Sequence, residues 1–260
     1  LCFNCHNDIE EQKQYEFIHF PFDDDCSTCH TSHGSQYSNL LTEIAPGLCF
    51  NCHDWFQEEE AVSSHSILSD DKNCSNCHSP HASETANLLI KEGDYLCMQC
   101  HNKEIRTGSL NIDNLDQKIK NGRSVHAALE FEGCSGCHLP HTSENAYLLK
   151  AKFPGTNYIP AEPENFALCF ECHDTEILEQ ELTTDITNFR DGNLNLHYLH
   201  IKGKKGRSCS LCHDAHASDN LHLIKSESKF GNWTTEMNYS VSETGGSCFP
   251  ACHAEESYKR

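Results

Sequence analysis

Every one of the 18 cysteines in this 260-residue chain belongs to a spaced pair closed by a histidine. Eight pairs read Cys-X-X-Cys-His and the last reads Cys-X-X-X-Cys-His. They are Cys2 and Cys5, Cys26 and Cys29, Cys49 and Cys52, Cys74 and Cys77, Cys97 and Cys100, Cys134 and Cys137, Cys169 and Cys172, Cys209 and Cys212, and Cys248 and Cys252. The histidines that follow are His6, His30, His53, His78, His101, His138, His173, His213 and His253. Two thiols at this spacing can form thioethers with the vinyl groups of one haem, and the adjacent imidazole then meets the iron. A chain that must enclose nine porphyrins is constrained to fold around them.

Other uses of paired cysteines fit less well. Zinc ribbons also pair Cys-X-X-Cys knuckles, but thiolate zinc has no need of a histidine after every second cysteine and leaves the other histidines without a role. Disulfides across such short loops stabilise little, because the loop they close is so small.

Histidine supply matches haem demand. Nine six-coordinate irons need eighteen axial ligands, and the chain holds 19 His. Beyond those in the motifs stand His19, His33, His65, His81, His126, His141, His197, His200, His216 and His222. Methionine cannot substitute widely, since Met98 lies inside the motif that starts at Cys97 and Met237 is the only other. Histidine on both faces of the iron favours a low potential, because His/Met ligation is the option that raises it.

The motifs recur in one phrase: an upstream histidine, a first motif, a second histidine three residues past the motif histidine, an apolar pair, and a second motif. It runs from His19 through Cys26, His33 and Leu40-Leu41 to His53, and from His65 through Cys74, His81 and Leu88-Leu89 to His101. It runs again from His126 through Cys134, His141 and Leu148-Leu149 to His173, and from His200 through Cys209, His216 and Leu221 to Ile224 as far as His253. We read a single multihaem domain over 1–260, made of a leading half unit at 1–16 and two-haem units at 17–53, 63–101, 124–173 and 197–253.

In motif, order and spacing, over nearly its whole length, the chain resembles the paired-CXXCH (doubled CXXCH) family of multihaem c-type cytochromes. The resemblance implies electron transfer through closely packed bis-histidine haems in an exported prokaryotic protein, some relatives being cell-surface or extracellular conduits. It also implies a route to assembly, since certain multihaem relatives polymerise into conducting filaments, or nanowires, in some cases with a distal histidine given by the next subunit. The half unit at the start and the stretched motif at Cys248 depart from the pattern.

His33, His81, His141 and His216 stand three residues past a motif histidine. In a helical turn such neighbours share a face, about 5–6 Å apart at Cβ. Each is therefore expected to ligate a haem other than the one just before it. His19, His65, His126 and His200 stand seven to nine residues before a cysteine. That is enough extended chain to loop round a ring edge, so they are expected to cap the haem of the motif that follows. The haem at Cys2 is left to take His197, His222 or a ligand from a neighbouring molecule, and either histidine could equally be an ordinary surface residue.

Composition points to a fold organised by cofactor. Hydrophobic residues make up 37% with the cysteines included, less than a domain of this length carries. The expectation is short α-helices around the motifs, mostly irregular connections, very little β-structure, a core of stacked haems, and the Leu pairs laid on porphyrin faces. Residues 102–125, 151–167, 174–199 and 225–247 are polar and read as surface loops over haem edges. A formal charge of −20 argues against nucleic acid and anionic membranes as partners. Lys202, Lys204, Lys205 and Arg207 form one basic cluster, suited to haem propionates, to an acidic partner, or to solvent. Sequons at Asn232 and Asn238 are compatible with glycosylation.

Thioether attachment of haem takes place outside the cytoplasmic membrane, so the protein is expected to be exported, to the extracellular space or cell surface or else to the periplasm. No apolar run is long enough to span a bilayer, and no signal peptide is visible, the export signal being already removed or lying upstream. The function expected is a nonahaem electron carrier with no catalytic residue. A subunit of an extracellular filament, exchanging electrons with redox proteins or extracellular acceptors, stands first and a monomeric shuttle second. A reductase of the nitrite or hydroxylamine type would need a haem with an open coordination position, and no motif marks one.

Overall fold

The computed structural model describes residues 1–54, 61–69, 73–108, 110–153, 155–203, 205–250 and 252–260, so Lys204 of the basic cluster lies outside the described residues. The chain divides into two compact units, Leu1–Cys100 and His101–Arg260. Helices are single turns or little more. The longest among the described residues, α1, covers Leu115–Asn121, starts under an Asn114 side chain that accepts the Gln117 N–H at 2.9 Å, and ends at Gly122. No described helix is long and apolar enough to cross a membrane.

The motifs themselves fold as tight turns. In seven of them the histidine N–H donates to the carbonyl of the first cysteine at 2.9–3.1 Å, as at Cys26, Cys49, Cys134 and Cys209. One helical turn thus puts both sulfurs and the imidazole around a single backbone loop. The stretched motif breaks this bond. Its extra residue sends the His253 N–H to Pro250 instead, at 3.2 Å, and Cys248 ends a strand rather than opening a turn.

After each first motif comes the same clamp, built on two successive left-handed residues: Asn39-Leu40, Asn87-Leu88, Tyr147-Leu148 and His222-Leu223, with φ between 55° and 60°. A left-handed leucine or tyrosine costs roughly 1–2 kcal/mol, so local bonds must hold it. They do. The first carbonyl of each pair accepts Nδ1–H of the motif histidine, His30, His78, His138 or His213, at 2.8–2.9 Å. The next residue after the clamp accepts a serine hydroxyl two positions past the second histidine: Ser35 to Leu41, Ser83 to Leu89, Ser143 to Leu149 and Ser218 to Ile224. The apolar pairs therefore act here through their main chain. Ser143→Ala is expected to destabilise the clamp by about 1 kcal/mol, the low end for a buried hydrogen bond, because Asn145 Nδ2 still reaches the Leu149 carbonyl at 3.2 Å. Faster amide exchange at Asn145, whose N–H donates to the Ser143 hydroxyl at 2.9 Å, would report it.

Two-residue antiparallel ladders join successive repeats. Within Leu1–Cys100, Phe17–Ile18 pairs with Ala82–Ser83, and the His19 N–H donates to the His81 carbonyl at 2.8 Å. Within His101–Arg260, Ser124–Val125 pairs with Ala217–Ser218, and the His126 N–H donates to the His216 carbonyl at 2.9 Å.

The polar segments are not plain surface loops. Residues 102–125 hold the hairpin Ile105–Thr107 with Leu110–Ile112 and then α1. Residues 151–167 and 174–199 contribute Phe166 and Leu178, which with Ile201 form a buried apolar cluster. The second of these segments also leads into α2, Leu196–Ile201, whose fully buried cap residue Asn195 accepts the N–H groups of His197 and Tyr198. Residues 225–247 form the hairpin Glu227–Phe230 with Trp233–Glu236 and lead into a sheet of β1 (Ser240–Ser242), β2 (Gly245–Cys248) and β3 (Glu256–Lys259). Gly245 lies so close to β3 that a Cβ there would meet the Tyr258 carbonyl oxygen at 1.9 Å. Polarity of these segments reflects hairpins with one wet face, which a reading by composition does not separate from loops.

Candidate haem centres

Among the described residues, at least six pairs of histidine rings face one another with centroids 6.1–6.4 Å apart: His19 with His53, His30 with His81, His126 with His173, His138 with His216, His197 with His213, and His200 with His253. Each pair joins one motif histidine to one histidine from outside the motifs. The spacing is too wide for ring contact. Two metal–imidazole bonds of about 2.0 Å, plus roughly 1.1 Å from nitrogen to ring centre at each end, come to about 6.2 Å. The interplanar angles run from 10° for His138 with His216 to 48° for His200 with His253.

Hydrogen bonds to the far nitrogen of these rings point the same way. A ligating histidine commonly gives its other N–H to a carbonyl, which fixes the tautomer and leaves Nε2 for the metal. Besides the clamp bonds, Nδ1 of His19 meets the Pro80 carbonyl at 2.8 Å, that of His200 meets Leu196 at 2.6 Å, and that of His253 meets Ala254 at 2.6 Å. Phe22, 7% exposed, packs on His81 with centroids 4.8 Å apart and steadies its ring. Lys118 of α1 reaches Asp214 at 2.6 Å, and Asp214 in turn accepts the His216 N–H at 3.0 Å, so α1 braces the turn that carries His213 and His216. The residues present fit bis-histidine haem.

The ring pairs correct the expected order. His19, His126 and His200 do not face the first motif after them; they face His53, His173 and His253, the histidines of the second. The reach argument assumed extended chain, but Phe20–Asp24 and Ala128–Phe131 are helical and His200 lies inside α2. Helix advances only about 1.5 Å per residue, too little to pass round a porphyrin. The two histidines left for the first motif stand in different places. His197 faces His213, while His222 is exposed and occupies the left-handed clamp position that Asn39, Asn87 and Tyr147 fill elsewhere. His81 and His216 face His30 and His138, the first-motif histidines of the repeat before their own. His6 and His33 are both exposed, and no ring faces either among the described residues.

Sulfurs of consecutive motifs are neighbours from Cys26 to Cys100 and from Cys134 to Cys252. The Cys49 thiol is pushed up by its hydrogen bond with Cys74, and the same bond brings Cys74 down to about 6. Cys209 and Cys169 form the equivalent pair, the former raised and the latter lowered. Burial raises Cys29, with Cys52 adding to it, and raises Cys77, with Cys97 and Cys100 adding. Burial likewise raises Cys137 beside Cys172 and Cys169, and brings Cys212 up to about 11 beside Cys248 and Cys252. Once alkylated as thioethers these sulfurs no longer titrate, but their adjacency remains. It follows sequence order within each unit.

The sequence reading missed the clamp serines and the left-handed positions. The signal was present: serine recurs two residues after His33, His81, His141 and His216. A family model for the doubled CXXCH motif matches residues 19–58, 65–106 and 126–177, just over half of the chain. The chain belongs to the doubled CXXCH motif family. It is a multihaem c-type cytochrome whose cysteine pairs bind haem covalently and whose family role is electron transfer. The matches end before the repeat that holds the stretched motif at Cys248. No curated protein matches this cytochrome.

Proposed function

We propose that this cytochrome carries nine haems and passes single electrons along them in sequence order, each iron held between two imidazoles. What supports the reading is the set of six ring pairs at 6.1–6.4 Å, together with neighbouring sulfurs at successive motifs from Cys26 to Cys100 and from Cys134 to Cys252. Bound haem iron alternates between ferric and ferrous and so takes up or releases one electron. The protein groups do the rest. Imidazoles on both faces deny substrates a coordination position, which favours a conduit over a reductase. Nδ1–H bonds to carbonyls lend the ligands anionic character and favour low potentials. The ladder bond from His19 to His81, and that from His126 to His216, hold both outer ligands of one two-haem unit on paired backbone. Little reorganisation then accompanies a change of charge. His65, His78, His101 and His141 occupy the equivalent places in the repeat, and we assign them axial roles on that register.

The filament reading is the finer proposal. Leu1 to His6 repeats Leu48 to His53 letter for letter, which makes the first motif a second-of-pair motif. By the register seen at His53, its iron takes a histidine from upstream, and by the register seen at His81, His33 serves a haem of an earlier repeat. An adjoining repeat, in the same polypeptide or in a head-to-tail neighbour, is proposed to meet both needs, in an exported protein at the cell surface or beyond. A pyridine haemochrome assay with intact mass is expected to give nine haems per chain, and ferric EPR of the assembled protein a wholly low-spin spectrum. A high-spin haem that binds nitrite or hydroxylamine would replace the conduit with the enzyme. Electron microscopy tests the assembly: a monodisperse particle at all concentrations removes the filament.

A further inference from the structure

One axial candidate differs from seven others in what its ring holds. His197 Nδ1 lies 3.0 Å from the hydroxyl of Thr187, whereas His19, His30, His78, His138, His200, His213 and His253 meet main-chain carbonyls. Thr187 is 9% exposed, and its oxygen already accepts the Phe189 N–H at 3.0 Å. The same short turn sets the Phe189 ring edge-on to His197, with centroids 5.2 Å apart, and lays it over His200 at 5.6 Å. Hydroxyl and ring are thus fixed together against one imidazole.

We propose that Thr187 is a positioning residue that raises the reduction potential of the haem bound by Cys209 and Cys212, between His213 and His197, above the value a main-chain carbonyl at His197 Nδ1 would give it. This rests on the bis-histidine reading above. A hydroxyl oxygen that accepts a second hydrogen bond is a poorer acceptor than a carbonyl. It draws less on the Nδ1 proton, leaves His197 less anionic, and stabilises the ferric iron less. Nearby charge adds in the same sense. Lys225 donates to the Ser210 carbonyl inside the motif at 2.6 Å, and Arg207 precedes it by two residues. Both cations act on Cys212, whereas the acidic neighbour Asp214 is matched by Lys118 at 2.6 Å. Cations beside a haem favour the reduced state. With haem bound there, these residues would shift only its one-electron ferric/ferrous equilibrium, with no bond made or broken and no proton moved.

Spectroelectrochemical titration of the intact holoprotein tests this. Thr187→Asn offers an amide carbonyl and is expected to lower the wave of this haem about tenfold in its ferric/ferrous equilibrium, 59 mV for one electron. Thr187→Val, which offers no acceptor, is expected to raise the same wave, and Thr187→Ser to leave it in place. His197→Met identifies the wave, since a Met ligand raises the potential of its own haem. The proposal is overturned if Asn and Val leave every wave unmoved while all haems stay low-spin, or if His197→Met moves a wave other than the one they shift. Should the Val variant not mature, the Asn and Ser variants decide the matter. Failure of the underlying reading is seen separately, as fewer than nine haems or a high-spin signal in the unsubstituted protein.

Discussion

Made where haem cannot be attached, the chain is expected to show the circular dichroism of an unfolded polypeptide, with no cooperative thermal transition and digestion by proteases along its whole length. The reason is a shortage of apolar material to bury. In Leu1–Cys100 the buried hydrophobic residues among those described are Phe22 and Ala82, and in His101–Arg260 the apolar cluster centres on Phe166, Leu178 and Ile201. Large apolar side chains stand exposed instead, among them Phe20 at 78%, Tyr95 at 78% and Phe131 at 79%. Ordering each residue costs about 1–2 kcal/mol in backbone entropy, a sum that such small clusters do not offset. Porphyrin faces would supply the missing contact, so folding and haem attachment are expected to be one event, as in other small metal-organised folds. A cooperative melt of the haem-free chain would refute this account.

The second large effect is local. His216→Ala is expected to turn one low-spin haem, the one at Cys134 and Cys137, into a high-spin haem that binds carbon monoxide, taking binding from none to one per chain. His216 faces His138 at 6.2 Å with rings only 10° apart. Its carbonyl holds the ladder bond from His126 at 2.9 Å and survives in alanine, so the fold stays while the ligand goes. His222→Ala is the matched control. That ring is exposed and its residue serves the clamp through a carbonyl that alanine keeps, so no high-spin signal is expected. Carbon monoxide binding by the His222 variant, or none by the His216 variant, would reverse the two roles.

Much of the candidate site was legible before any geometry. A thioether pair and its following histidine are contiguous in sequence, and a local turn such as that from Cys26 to His30 is dictated by a few residues. The count of spare histidines and the recurrence of the repeat were equally plain. The placement of His81 and His216 away from the haem of their own motif was also readable, since three residues in a turn cannot cross a macrocycle.

Which ring faces which was not. His19 looks equally able to serve Cys26 or Cys49 until it is known that Phe20–Asp24 coils and shortens the link, and that a two-residue ladder carries His19 beside His81. His197 looked like a spare histidine until α2 set it opposite His213. Thr187 had no signal at all, because a threonine ten residues from a histidine becomes its hydrogen-bond partner only through the hairpin Arg190–Asp191 with Leu194–Asn195 between them. Covalent attachment is decided by neighbours along the chain and is written in the sequence. Axial pairing and the tuning of each ligand are decided by groups brought together across repeats, and only the tertiary structure, through short ladders and helical turns, sets those distances.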